Sequence, residues 1–370
     1  MSRTRYHRSP LVIAILTGTA RTVSFGGNRA NFRDLLVTAK RNRAIAYVVT
    51  VPQLQQGLSN QRVQGFAYDL RRKSWYEGNF PLPHVVYNRI PTRAQEKSIG
   101  AKDLIERLLK RSDMRLFNPE FFNKWQLSKW LSSSAELKEH VPQTVPLRNL
   151  LSVKEMLATG YPLFLKPVHG KAGAGMMRLE HQHKQTWTLS RQHTQGTLNR
   201  HYRTLRMLWR DIKRHVAGKT YVIQQYIELE RSPAGTPFDL RVLLQKNSDG
   251  QWTVTGIGAR VAGRNRLTTH VPRGGKIASP LRLLRVKYGD NQAKHLLRET
   301  GKLAVRIAAH LEKQSGQRLG ELSMDIGLDR HAKLWFFEAN SHPMKFDEPA
   351  IRRRSLRKWV RYCRHLANRN

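Results

Sequence analysis

Two carboxylates and an amide stand out toward the C-terminal end of the chain. Asp325 interrupts the apolar run Leu322-Ser323-Met324-Asp325-Ile326-Gly327-Leu328. Glu338-Ala339-Asn340 closes a second apolar run that begins at Leu334. Residues two apart on a strand share a face, so Glu338 and Asn340 point together, and Asp325 on a neighbouring strand can join them. Such hard oxygen donors suit Mg²⁺ or Mn²⁺ bridging the phosphates of a nucleotide. The plainer reading is a polar cap on a sheet. With only 26 acidic residues in 370, two inside apolar strands favour the metal.

Lys166 ends the candidate strand Tyr161-Pro162-Leu163-Phe164-Leu165-Lys166-Pro167, and Gly170-Lys171-Ala172-Gly173-Ala174-Gly175 follows. Glycines let backbone N–H groups approach phosphate oxygens, and the lysine adds a point charge. The G-x-x-x-x-G-K-[ST] pattern is absent, so this is no P-loop, and an ordinary Gly-rich hairpin is the alternative. Asp239 and Arg241 share a strand face, with Arg260 on the next strand. They suit bidentate phosphate or carboxylate binding, or equally an internal salt bridge. Arg273-Gly274-Gly275-Lys276 is a basic loop that a solvated turn also explains. His181-Gln182-His183 has tempting metal spacing but reads as part of a polar insertion.

The elements that must carry these residues follow from periodicity. Leu11–Leu16 reads as a buried parallel strand, followed by a turn at Gly26-Gly27, a helix over 28–41 and a strand over 46–51. Short antiparallel pieces are expected at 65–68 and 74–76, a strand at 84–89 and an amphipathic helix at 96–110. This strand–helix–strand order predicts a small α/β lobe, with a boundary near Phe117-Asn118-Pro119. A helix is expected over 121–131. Residues 180–215 read as a basic insertion, mostly helical from about Leu198. Strands are expected at 221–227, 239–246 and 251–262, then a helix over 291–314. The divisions drawn are 1–116, 117–222 (with the insertion 180–218), 223–350 and a basic helix or tail at 351–370.

Composition limits the function classes. Lys and Arg number 66 against 26 acids, a net charge of +40, while apolar residues make up 39%. That is enough for packed cores and implies an anionic partner without naming it. Cys363 is the only cysteine, which excludes an internal disulfide and a cysteine zinc site. No apolar run approaches the roughly 20 residues of a membrane span. Arg3, Arg5 and Arg8 before Leu11 faintly suggest a signal peptide, but the apolar run is too short. A cytoplasmic protein is expected. Residues 191–214 and 351–370 are basic and interleave Tyr202, Trp209, Trp359 and Tyr362, so nucleic acid is one candidate partner. The alternative at the C-terminus is an amphipathic helix packed through Leu356, Val360 and Leu366.

Taken in order, these pieces resemble an ATP-grasp enzyme: Lys124 ahead of a helix (Lys129 is a rival), Lys166 with its Gly loop, Gln224-Gln225-Tyr226-Ile227, Asp239-x-Arg241, then Asp325 with Glu338-x-Asn340. Three strings resemble the YheC/YheD group, described as endospore coat-associated. They are Leu82-Pro83-His84-Val85-Val86-Tyr87-Asn88-Arg89-Ile90-Pro91, Phe117-Asn118-Pro119 and His270-Val271-Pro272-Arg273-Gly274-Gly275. The resemblance implies an α/β (α+β) fold in which two α+β lobes clasp ATP after a small α/β N-terminal domain. ATP would be held by Lys124, Lys166, Gly170, Gly173, Gly175, Asp239 and the backbone of Gln224, Gln225, Tyr226 and Ile227. Many members carry Glu where this chain has Gln225. Asp325, Glu338 and Asn340 would bind Mg²⁺. Lys166, Arg241, Arg260 and Arg273 would serve the transferred phosphate or the acid substrate. The implied activity is ATP-dependent carboxylate–amine or carboxylate–thiol ligation through an acyl phosphate, linked to the spore coat or cell envelope. The acid would be an anionic carboxylate such as an acidic peptide or polymer. A coat-associated binding protein that retains only the fold is the alternative.

Overall fold

The computed structural model describes residues 10–20, 22–169, 173–182, 186–193, 196–264, 266–269 and 274–368. The first domain comprises β1 (Leu11–Thr17), α1 (Arg29–Arg41), β2 (Ala44–Thr50), α2 (Val51–Asn60), β3 (Arg62–Asp69), β4 (Ser74–Pro81), β5 (Val85–Asn88), α3 (Arg93–Glu96), α4 (Ile99–Lys110) and β6 (Arg115–Phe117). Its sheet runs β4-β3-β2-β1-β5-β6. Strands β2, β1, β5 and β6 are mutually parallel, and β1 lies inside that set, which is why it is apolar on both faces. Sequence reading passed over α2, whose start is a local signal: Thr50 and Gln53 form a capping box and Pro52 occupies the first turn. The helix expected over 96–110 is two pieces, α3 and α4.

Next come α5 (Lys124–Ser132), β7 (Thr144–Pro146), α6 (Leu150–Leu157), β8 (Leu163–Pro167), β9 (Met177–Gln182), β10 (Thr186–His193), β11 (Gly196–Tyr202), α7 (Leu205–Val216) and β12 (Tyr221–Gln225). The second sheet runs β11-β10-β9-β8-β12-β7, backed by α6 and α7 through Val153, Met156, Leu208 and Ile212. The basic insertion therefore departs from expectation. It is a β-hairpin before it is a helix, and α7 begins only where Thr204 caps the Met207 amide. Leu189 is buried between polar neighbours, so the strand alternation was present but masked by arginine and histidine. The boundary drawn after residue 222 falls inside β12 of this sheet.

The third sheet contains β13 (Phe238–Lys246), β14 (Trp252–Val261), β15 (Lys276–Ala278), β16 (Glu321–Leu328) and β17 (Leu334–Asn340), ordered β15-β14-β13-β16-β17. The long α8 (Pro280–Ser315), broken at Gly289 where φ is 73°, packs on one face with α5. That core leaves the opposite face, with Asp239, Arg241, Asp325 and Glu338, for other work.

The chain ends in α9 (Pro349–Ala367), which packs on the first domain beside α1 and β1. Val360 and Leu366 are buried as the amphipathic reading expects, with Leu356 partly buried. Trp359 and Tyr362 are buried too, at 3% exposure each, and Tyr202 and Trp209 pack against the core of the second sheet. The buried rings of Trp359 and Tyr362 are therefore not presented to a partner for stacking. Among the described residues, no helix is long and apolar enough to cross a membrane.

Candidate active site

The second and third sheets face each other across a cleft with an empty volume of about 960 Å³, open to solvent. Lys124, Lys166, Gly173, Gln224–Ile227, Asp239 and Glu338 all line it. Residues far apart in sequence thus meet in one cleft. Gly175 sits just behind, and Arg241, Arg260, Asp325 and Asn340 lie beneath, on the sheet that floors the site. Gly170 and Arg273 fall outside the described residues, as do His183 of the His-Gln-His string and His270–Pro272. His181 packs on the Trp187 ring, 4.4 Å between centroids.

Lys166 emerges from β8 and donates to the Gln224 side-chain oxygen on β12. Its ammonium lies 5.2 Å from the Phe164 ring centroid and 5.4 Å from that of Phe337. Burial, reinforced by the Lys124 charge, lowers its pKa to about 8, while Glu338 and Asp325 pull the other way. A buried cation is costly, and a phosphate in the cleft would relieve that cost.

The metal-type donors gather as the two-residue period predicted. Asp325 pairs directly with Glu338, and Ser323 with Asn340. Opposed residues of antiparallel strands share a face, so the two carboxylates and the amide lie together. A register shift beside Asp325 leaves Phe337 as an extra, unpaired residue. Such a bulge re-aims a side chain, and here it puts Phe337 in the cleft wall without disturbing Glu338. Both carboxylates are ion-paired: Glu338 Oε2 with Lys124 Nζ at 2.5 Å, and Asp325 Oδ2 with Arg260 Nη2 at 2.8 Å.

Arg260 also grips Asp239 bidentately, at 2.9 and 2.7 Å, and the Thr269 hydroxyl donates to Asp239 at 2.6 Å. The internal salt bridge and the phosphate-site reading of this trio are therefore both embodied in one cluster. The two carboxylates hold the Arg260 guanidinium protonated against a strong burial penalty. Arg241 stands opposite Asp325 across β13 and β16, with its guanidinium 4.8 Å from the Phe346 ring centroid. Burial lowers its pKa. Gly258, opposite Arg241 on β14, leaves room for Glu348: a Cβ there would meet its carboxylate at 2.2 Å.

The Gly loop keeps close contact at both described glycines. Gly173 (φ 71°) lies against Thr268, and Gly175 (φ 72°) accepts the Tyr221 hydroxyl at its carbonyl, 3.1 Å away. In the linking strand, the amides of Gln225 and Tyr226 are bonded to the carbonyls of Gln143 and Pro162, at 2.9 and 2.8 Å.

Sequence reasoning missed Phe164, Phe337, Thr268, Thr269 and Glu348. It also missed Arg93, whose charge is felt by Glu338 from the first domain. Only Thr269 had a nearby signal, the adjacent basic string at 270–275.

The donor set fits a magnesium ion. Its two carboxylates and one amide are hard oxygen ligands on one face, and cations now neutralise that negative charge. No group of three His, Cys, Asp or Glu side chains gathers as a metal site among the described residues. Asn340 and the nucleotide phosphates would have to complete the coordination, with Asp325, Glu338 and Asn340 as the protein ligands.

An N-terminal α/β domain followed by two sheets enclosing a lysine-lined cleft defines the ATP-grasp architecture. The ATP-grasp ligase PsnB shares it (TM-score 0.52, 14% identity, covering 96% of this chain and 99% of that one). So does D-alanyl-alanine synthetase A from Vibrio cholerae (TM-score 0.54, 10% identity, 98% of each chain). Residues 113–366 match the family model for YheC/D-like ATP-grasp proteins, and the chain belongs to that family. It is 28% identical over 319 residues to the endospore coat-associated protein YheD of Bacillus subtilis, spanning 85% of this chain and 68% of that protein.

Proposed function

We propose that the protein is an ATP-dependent ligase that joins a carboxylate to an amine or thiol through an acyl phosphate. The observation that carries this reading is the convergence of Lys124, Lys166 and Glu338 on one cleft from α5, β8 and β17. Three phosphates need their charge neutralised and held in place, and phosphoryl transfer asks little else of a protein. Lys166 and the Gly loop hold the phosphates. The Ile227 amide and the backbone carbonyls of 224–227 read adenine, since the Gln225 and Tyr226 amides are already bonded. Magnesium, when bound by Asp325, Glu338 and Asn340, supplies further charge neutralisation at the phosphates. Lys124 and Arg260 exchange their carboxylate partners for phosphate oxygens as the nucleotide enters.

In the reaction a carboxylate oxygen of the acid bonds to the γ-phosphorus, and the bond from that phosphorus to the β,γ-bridging oxygen breaks, releasing ADP. The amine or thiol then bonds to the acyl carbon, inorganic phosphate leaves, and the nucleophile's proton passes to phosphate or solvent. Arg241 lies on the same sheet face as Asp325, suitably placed for the acid substrate or the transferred phosphate. Arg273 is assigned the same task from sequence alone. The coat association carried in the name of YheD is taken as the setting, a cytoplasmic enzyme acting at the forming spore coat.

The test is a thermal-shift assay with Mg·ADP, followed by a screen of amino acids, peptides and coat extracts for ADP release, with mass spectrometry of the products. A raised midpoint and substrate-dependent ADP release are expected, because binding to the native state stabilises it. A raised midpoint with no turnover on any pool would favour a binding protein that retains the fold, and no shift at all would sink both readings.

A further inference from the structure

We propose that the edge strand β11 and the outer face of α7 form a docking surface for an acidic, extended polypeptide, which adds beside β11 as a further strand of the second sheet. Among the described residues β11 pairs only with β10, so its outer side is a strand edge. Such an edge presents backbone donors and acceptors to an incoming strand.

The charge on this surface has one sign. Arg200, Arg203, Arg206, Arg210, Lys213 and Arg214 are all exposed. Asp211 is the only acid between residues 196 and 220. It is buried, bonded to the Tyr202 hydroxyl, ion-paired with Arg200 at 3.8 Å and 3.5 Å from His215 Nδ1. Its charge is therefore spent inside, and the outward field is cationic.

Two observations favour a polypeptide over nucleic acid. Tyr202 and Trp209, the rings that could have stacked on bases, pack inward. Meanwhile Leu198 on β11 and Met207 on α7 are each 45% exposed. Apolar side chains on a strand edge find partners in another polypeptide but none in a phosphate backbone.

The surface is also joined to the cleft. The Leu267 amide donates to the Gln192 side chain at 3.0 Å, and Arg266 Nη1 donates to the His193 carbonyl at 2.9 Å. His193 pairs with Gly196, where β11 begins, and Leu267–Thr269 wall the cleft. A strand lying along β11 spans about 23 Å, from the start of α7 to that wall. The docking surface stands on these observations alone; that the docked chain is the ligase's acid substrate rests on the function proposed above.

The test uses the full chain and fluorescence anisotropy at fixed salt, with three probes: an acidic Glu-Thr repeat peptide, a Glu-Pro repeat of equal length and charge, and a short duplex DNA. The Glu-Thr peptide should bind, and the Arg206→Glu/Arg210→Glu variant should weaken it on the order of tenfold. Arg206→Gln/Arg210→Gln should show a smaller loss. The Glu-Pro peptide should bind several-fold more weakly, because proline lacks the N–H that strand pairing needs. Undiminished binding by the Glu variant, equal binding of the two peptides, no binding of either, or tighter binding of DNA would each overturn the proposal. Every variant is checked for the wild-type Mg·ADP thermal shift. No peptide binding by a wild type that shows the shift counts only against this surface, and absence of the shift in the wild type counts only against the nucleotide site.

Discussion

Lys124 Nζ lies 2.5 Å from Glu338 Oε2, joining the first turn of α5 to the end of β17 across more than half the chain. Neither side chain is fully buried, so the pair can open. Each partner alone has a second task in the cleft, phosphate for the lysine and metal for the carboxylate. The pair therefore keeps the two charges balanced against each other until a nucleotide arrives. Glu338→Gln should weaken Mg·ADP binding on the order of tenfold or more while binding of ADP without metal changes little. Calorimetric titration with and without magnesium reads the difference; equal losses in both would remove Glu338 from the metal site.

Lys166 is the residue on which nucleotide affinity should depend most. Lys166→Ala removes a half-buried charge facing the phosphates, so a loss of roughly 2–4 kcal/mol in Mg·ADP binding is expected. The fold should survive, because the lysine's own burial is unfavourable in the absence of phosphate. Unchanged affinity in this variant would contradict the site.

The same lysine predicts a proton signature. Its pKa of about 8 in the free protein, lowered by burial and Lys124, should rise when phosphates arrive. Below about pH 8 the lysine is already charged and binding moves no proton there. Above it, binding takes up a proton, so affinity falls as pH rises. Titrations at pH 8.5 to 9 in buffers of different ionisation enthalpy should show uptake approaching one proton in the wild type and none from this source in Lys166→Ala.

Arg260 holds Asp239 and Asp325 together in a buried triad. Arg260→Gln would leave two carboxylates without their cation, at a cost of about 3–5 kcal/mol. Urea unfolding should show the lower midpoint at unchanged slope. The more conservative Arg260→Lys should recover only part of the loss, since lysine cannot grip Asp239 bidentately.

Glu96 marks a pH-dependent joint between the first domain and the loop after β17. Its carboxylate accepts the Phe121 amide at 2.9 Å and lies 3.8 Å from His342 Nδ1. Burial raises its pKa to about 7, above the ordinary carboxylate value. The native state thus holds a proton between about pH 4.5 and 7 that the unfolded state releases, and this group's contribution to stability falls as pH rises through that window. His342, held neutral by burial with its pKa lowered to about 3, acts oppositely between about pH 3 and 6.5. Glu96→Gln should therefore raise the thermal midpoint at pH 8 relative to the wild type and have little effect near pH 4.5.

The linear sequence was enough to place Asp325, Glu338 and Asn340 on one face. A strand's side chains alternate strictly, and acids inside apolar strands in so basic a chain are conspicuous. It also announced Lys166, the Gly loop and most strand–helix boundaries, because those signals are local. The insertion at 180–215 was misread because basic residues obscured a weak alternation around Leu189. What only the tertiary structure decided is who neutralises whom. Arg260 reaches Asp325 diagonally across β13, and Lys124 reaches Glu338 from α5. A one-residue bulge puts Phe337 into the cleft wall, and Trp359 turns inward rather than toward an anionic partner. These depend on register and on packing between distant elements, which no local pattern encodes.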